Sequence, residues 1–187
     1  MNPPTAVCSL YPNCPTVSRA IAVGGRSKRE LLEALQRHGV EVNEAGRTLF
    51  SSDRFQTSHR SRIIEAVEVS VLHLGCPQGA TMSQIHATAA ALGLALCPLE
   101  LGPHLRLQYL DQPEGHLAHP PSHHRAPPGS VTIASAQLTE EDDFPKGFYL
   151  RRIAGTLWLR GYRSGPEHIW EPEDRLVFCR PGCGNGG

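Results

Sequence analysis

Residues 148–162 read FYLRRIAGTLWLRGY. Two runs that alternate apolar and polar residues flank Ala154-Gly155, a dipeptide suited to a two-residue hairpin turn because glycine accepts a positive φ. Setting Ile153 opposite Thr156 defines the register by counting. Phe148, Leu150, Leu157 and Leu159 then share one face, with Arg152 intruding beside the turn. Tyr149, Arg151, Trp158 and Arg160 share the other, Arg151 opposite Trp158 and Tyr149 opposite Arg160. The first face is core. The second is a lattice of guanidinium and aromatic groups, each exposed stack contributing only about 0.5–1 kcal/mol. It reads as a platform for a partner, as a sheet face pairing its own cations, or as a second core face covered by helices.

Outward from the hairpin, residues 131–137 and 175–179 have strand composition. Residues 67–74 alternate at period two and then turn apolar, as a strand with one buried face does. Ser27-x-x-Glu30 forms a capping box ahead of a helix. Leu31, Leu32, Leu35 and His38 lie on one side of that helix, a Glu33–Arg37 pair lies on the other, and Gly39 stops it. A short helix follows Asn43, and residues 54–62 are a polar connection. Thr81, with Gln84 three residues on, caps a helix whose stripe is Met82, Ile85, Ala89 and Leu92 and which ends at Gly93. Residues 105–110 read as a strand, Leu105, Leu107 and Tyr109 opposing Arg106 and Gln108. Residues 111–129, DQPEGHLAHPPSHHRAPPG, hold five prolines and no period, hence a loop. Residues 1–26 read as irregular and 181–187 as a disordered tail. The expected fold is a single α+β domain over 27–180, with N-terminal helices and a capped mid-chain helix packed on a mostly antiparallel sheet.

The chain has 187 residues, with 18 Lys and Arg against 18 Asp and Glu. No bulk field draws it to nucleic acid or membrane. No apolar run approaches the roughly 20 residues of a bilayer span. The first residues, MNPPTAVCSLYPNCP, carry neither the basic nor the apolar region of a secretory signal. A soluble cytoplasmic protein with reduced thiols is the expectation.

Leu96, Cys97, Pro98, Glu100, Gly102, Pro103, Leu105, Arg106, Leu107, Tyr109, Asp111, Gln112 and Pro113 spell a block of the form L-C-P-x-E-x-G-P-x-L-R-L-x-Y-x-D-Q-P. The block resembles that of a family of uncharacterised bacterial proteins. The resemblance spans roughly residues 31–180 and implies no particular activity.

Within the block, Glu100, His104 and Arg106 have the makings of an acid–histidine–arginine pocket suited to proton transfer or carboxylate capture. The plainer reading is a structural Glu100–Arg106 pair and a turn closed by Gln112. His116, His119, His123 and His124 have spacings open to Zn²⁺, but nothing in their segment would orient ligands. Four cysteines pair near the termini, Cys8 with Cys14 and Cys179 with Cys183; they read as free thiols in tails or, if the termini meet, as a four-thiolate zinc site or disulfides. Cys97 reads as a small buried apolar residue rather than a nucleophile. No phosphate loop, dinucleotide fingerprint, nucleophile elbow or zinc-protease helix is present.

Two functional classes remain. The favoured one is a non-catalytic binding module, needing no cofactor, that offers Tyr149, Arg151, Trp158 and Arg160, with Trp170 as an addition, to a protein. A nucleic-acid strand is the second choice of partner and a membrane is not expected. The other is a small enzyme built on Glu100, His104 and Arg106, with metal held by the loop histidines.

Overall fold

The computed structural model describes residues 9–115 and 127–181. The expectations placed on the loop histidines, Cys8 and Cys183 lie outside them. The strands are β1 (Val17–Val23), β2 (Glu41–Val42), β3 (Arg62–Ser70), β4 (Ala80–Thr81), β5 (Val131–Ile133), β6 (Gly147–Ile153), β7 (Thr156–Tyr162), β8 (Ile169–Trp170) and β9 (Arg175–Cys179). The helices are α1 (Lys28–Arg37), α2 (Glu44–Ser51), α3 (Met82–Ala91) and α4 (Leu101–Gln108). Seven strands form one sheet in the order β1-β3-β9-β5-β6-β7-β2, while β4 and β8 pair separately.

The class is α+β. The sheet is mixed rather than mostly antiparallel, because β2 lies parallel to β7 and β5 parallel to β9. Those two strands have two and three residues, too few for a period to show. The segment expected to be irregular contains β1, an edge strand that buries only Ile21 and Val23 and alternates them with alanine. The 105–110 strand is absent. Leu101 to Gln108 is helix α4, which buries Leu101, Leu105 and Arg106. Alternating leucines fit either period over so short a run, and Pro103 sits in the first turn, where its missing N–H costs nothing.

The caps form as the sequence implies. Ser27 with Glu30 and Thr81 with Gln84 make complete capping boxes, and Asn43 caps α2. On α1 the buried stripe is Leu31, Ala34 and Leu35, with His38 exposed, and Glu33 pairs with Arg29 at 2.8 Å instead of Arg37. Asn43 does more than cap. Its Oδ1 accepts from Gly161 N at 2.8 Å and its Nδ2 donates to Gly161 O at 3.0 Å, which docks α2 onto β7. A Cβ on Gly161 would stand 2.5 Å from the Ala45 carbonyl carbon, so this approach requires glycine.

The sheet buries both faces unequally. On the first, α1, α2 and α4 bring Leu31, Leu35, Leu49, Phe50, Leu101 and Leu105 against Ile21, Ile133, Phe148, Leu150, Leu159 and Val177. Phe50, Phe55 and Phe148 meet there as tilted rings. On the second, Ile85 and Ala89 of α3 cover Val67, Val69, Leu176 and Phe178, with Trp170 in the same cluster. Residues 66–70 of β3 are buried on both faces, and Glu68 is among them. Its carboxylate accepts from Arg19 at 2.7 Å and Arg175 at 2.5 Å, joining β1, β3 and β9 through charge-assisted bonds.

Candidate functional site: the open half of the sheet

Strands β6 and β7 pair in the counted register, with Ile153 opposite Thr156, Arg151 opposite Trp158 and Tyr149 opposite Arg160. Ala154 and Gly155 both take positive φ, 50° and 76°, the pattern of a type I′ turn. Leu150 and Leu159 are fully buried on the helix-covered face. Arg152, the intruder, sits at the end of the sheet and reaches Glu114 at 3.5 Å.

The opposite face of this hairpin lies beyond the core under α3. Tyr149, Arg151, Trp158 and Arg160 are each half-buried there. The Arg160 guanidinium lies 5.1 Å from the centre of the Trp158 ring. The Nε atoms of Arg151 and Arg160 are shielded from water and have no hydrogen-bond partner. Among the described residues neither arginine meets a carboxylate within ion-pair distance. Glu41, in register with Trp158 on β2, pairs with neither. Planar cations with donors to spare are what a carboxylate or a carbonyl edge would satisfy. Trp170 does not join this face. It is 4% exposed and belongs to the core under α3, meeting Tyr162 edge-on at 5.5 Å.

Tyr162 joins the open face to a groove. Its ring is 6.5 Å from Tyr149, and it also lines a cavity of about 510 Å³ with Met82, His86, Leu96 and Ser135. Ser135 is 5% exposed and its Oγ has no partner, nor has His86 Nε2. Burial lowers the His86 pKa, so a neutral ring is favoured there. Glu140 and Asp142 line the same groove. Neither Ser135 nor His86 carried a signal in the sequence. Each becomes notable only where α3 meets the end of β5.

The block at 96–113 is placed differently. Glu100, 3% exposed, accepts from Ser58 N at 2.9 Å and Ser58 Oγ at 2.5 Å, with Arg62 at 3.8 Å. It does not pair with Arg106. His104 Nε2 accepts from Gly24 N at 3.1 Å, and burial lowers its pKa against the opposing pull of Glu100. Gly102 lies so close to Phe148 that a Cβ would stand 2.9 Å from the ring. Arg106 is fully buried, and that burial lowers its pKa to about 10. It donates to Gln112 Oε1 at 2.5 Å and to the Tyr109 carbonyl, and its Nε has no partner. Gln112 Nε2 in turn donates to Gly129 O at 3.1 Å and Leu150 O at 3.3 Å. The acid, the imidazole and the guanidinium therefore each hold a different segment, and the two described cavities are lined by none of them. The block braces α4 against the sheet and draws residues 112 and 129, near the two ends of the Pro/His-rich segment, together.

Among the described residues no cluster of three His, Cys, Asp or Glu side chains is placed to hold a metal ion. No described helix is long and apolar enough to cross a membrane. Comparison with known protein families, curated proteins and solved structures finds no match to this chain. What the fold and the face define is an α+β domain whose mixed sheet is covered by helices on one side and, on the other, by α3 over β3 and β9.

Proposed function

We propose that this protein is a non-catalytic interaction module that binds another protein through Tyr149, Arg151, Trp158 and Arg160. One observation carries the reading: two arginines without partners, one stacked on tryptophan, stand on a strand pair that α3 leaves uncovered. Arginine, tyrosine and tryptophan are the residue types that dominate binding energy at protein interfaces, because they offer large contact area and directional donors. The register supports the same reading. Residues 148, 150 and 159 of the hairpin serve the core, so their neighbours in sequence are free of that role.

A partner suited to the face carries carboxylates or a backbone edge to meet Arg151 and Arg160, and an apolar side chain to lie on Trp158. The net charge of zero removes long-range steering toward polyanions, which places a protein ahead of a nucleic-acid strand. The test is affinity capture of partners from lysate, run beside a salt-dependent oligonucleotide titration. Wild type is compared with the double variant Trp158→Ala, Arg160→Ala. The expected result is loss of a captured protein in the folded double variant and no steep salt-dependent oligonucleotide binding. A folded double variant that keeps every wild-type interaction removes this face from consideration. A steep salt slope lost in the variant would replace the protein partner with a nucleic-acid strand.

A further inference from the structure

Cys97 and Cys179 are 82 residues apart in sequence, and their sulfurs lie 3.1 Å apart. Backbone geometry brings them together. The short extended segment before α4 bridges β9 through Ala95 and Cys179, which exchange N–H···O bonds at 2.8 Å in both directions. Cys97 N then donates to Ala134 O at 2.7 Å, which fixes the next turn of the chain against the end of β5. Both side chains point into the core on the helix-covered face, with 4% and 7% residual exposure. From sequence alone Cys97 reads as a small buried apolar residue and Cys179 as a thiol near the chain end. In the fold they are a matched pair.

We infer that Cys97 and Cys179 form a site of oxidative modification, closing to a reversible intramolecular disulfide when the protein meets a peroxide. The sulfurs start close: they must move from 3.1 Å to about 2.05 Å to form the bond. The environment separates their roles. Cys179 has its pKa lowered by the hydrogen bond it shares with Cys97 and by the Arg62 cation, while burial raises that of Cys97. A thiolate is the species a peroxide oxidises, so Cys179 reacts first. Its sulfur attacks one peroxide oxygen, the O–O bond breaks, and the departing hydroxide takes up the proton that the Cys179 thiol released, giving a sulfenic acid and water. The Cys97 sulfur then attacks that of Cys179, the S–O bond breaks, and the hydroxyl departs with the Cys97 proton as a second water. Two thiols and one hydrogen peroxide give one disulfide and two waters, the sulfurs supplying two electrons. Cys14 and Cys76, the other described thiols, are half-buried and belong to the opposite core cluster, away from this pair.

The experiment treats the reduced full chain with a few equivalents of hydrogen peroxide. Remaining thiols are then alkylated in denaturant and peptides are mapped by mass spectrometry without reduction. The expected result is a linked peptide pair containing Cys97 and Cys179 in most molecules, reversed by dithiothreitol, and a melting temperature above that of the reduced protein. The Cys97→Ser variant is expected to carry Cys179 as sulfinic acid, because the resolving thiol is gone. The wild-type map stands alone if that variant folds poorly. Wild type in which both cysteines stay alkylatable overturns the inference. So does wild type in which Cys179 is over-oxidised without a link, or in which the linkage joins other cysteines.

Discussion

Two arginine-bearing stretches of this chain have opposite surroundings. In the 96–113 block Arg106 is fully buried, donates to Gln112 and to a backbone carbonyl, and helps hold the ends of a loop. In the β6–β7 hairpin Arg151 and Arg160 are half-buried on a face without a covering helix. The Nε is unpartnered in all three arginines, but Arg106 bonds through its terminal nitrogens and, among the described residues, these two pair with no carboxylate. In sequence the two look alike: an arginine alternating with leucine, near tyrosine or tryptophan. The difference teaches that a buried polar group is a structural brace when neighbours answer it, and a candidate for binding when they do not.

The largest effect that would break this contrast is at Arg106. Arg106→Ala removes the donor to Gln112 Oε1 and to the Tyr109 carbonyl and leaves a void, with an expected loss of about 3–5 kcal/mol. Arg160→Ala is expected to change stability by no more than about 0.5 kcal/mol, as a partly exposed side chain outside any network does. Chemical denaturation of both variants makes the measurement. Equal losses would mean that the open face is part of the folding core.

Within the hairpin the same contrast can be sharpened between faces. Leu150→Ala or Leu159→Ala is expected to cost about 2–5 kcal/mol, because each leucine is fully buried among α2, α4 and the phenylalanine cluster. Trp158→Ala is expected to cost less than either despite the larger side chain removed, since Trp158 is half-buried. If Trp158→Ala proves the costlier, the second face of the hairpin belongs to the packed core although α3 does not reach it.

The smallest effect is a pH dependence within the block. Burial lowers the pKa of His104, so the unfolded chain binds its proton more readily than the folded one does. The contribution of His104 to stability is thus complete above its ordinary value near 6.5 and shrinks as pH falls below it. His86, lowered by burial in the groove, acts in the same direction and window. Unfolding followed from pH 7.5 down through pH 5.5 is expected to show falling stability, with a shallower fall in His104→Gln. That variant keeps an acceptor for Gly24 N but has no proton to gain. An unchanged slope in His104→Gln and His86→Gln alike would show that neither ring stays neutral through burial.

The 75–113 region shows how far the chain could be read without its fold. Thr81, Gln84 and Gly93 bounded α3 correctly because caps and stops act within four residues. Leu105, Leu107 and Tyr109 misled because a short apolar alternation satisfies a strand and a helix turn equally, and only the cover offered by the sheet chooses. The same holds for the block as a candidate site. The residue types were visible, but Glu100, His104 and Arg106 face Ser58, Gly24 and Gln112, contacts made across up to 80 residues.

The sequence by itself determined the local features of this protein. These are the hairpin turn at Ala154-Gly155 with its register, the capping boxes of α1 and α3, the cap of α2, and the α+β class. Each depends on propensity, periodicity or a turn within a few residues. The tertiary structure alone decided that the hairpin's second face is left without a covering helix, which arginine is answered and which is left open, and that Cys97 meets Cys179. It also decided that β2 and β5 join the sheet in parallel. These outcomes are set by packing between segments far apart in the chain, where the nearest partner is fixed by how layers stack and not by any neighbour in sequence.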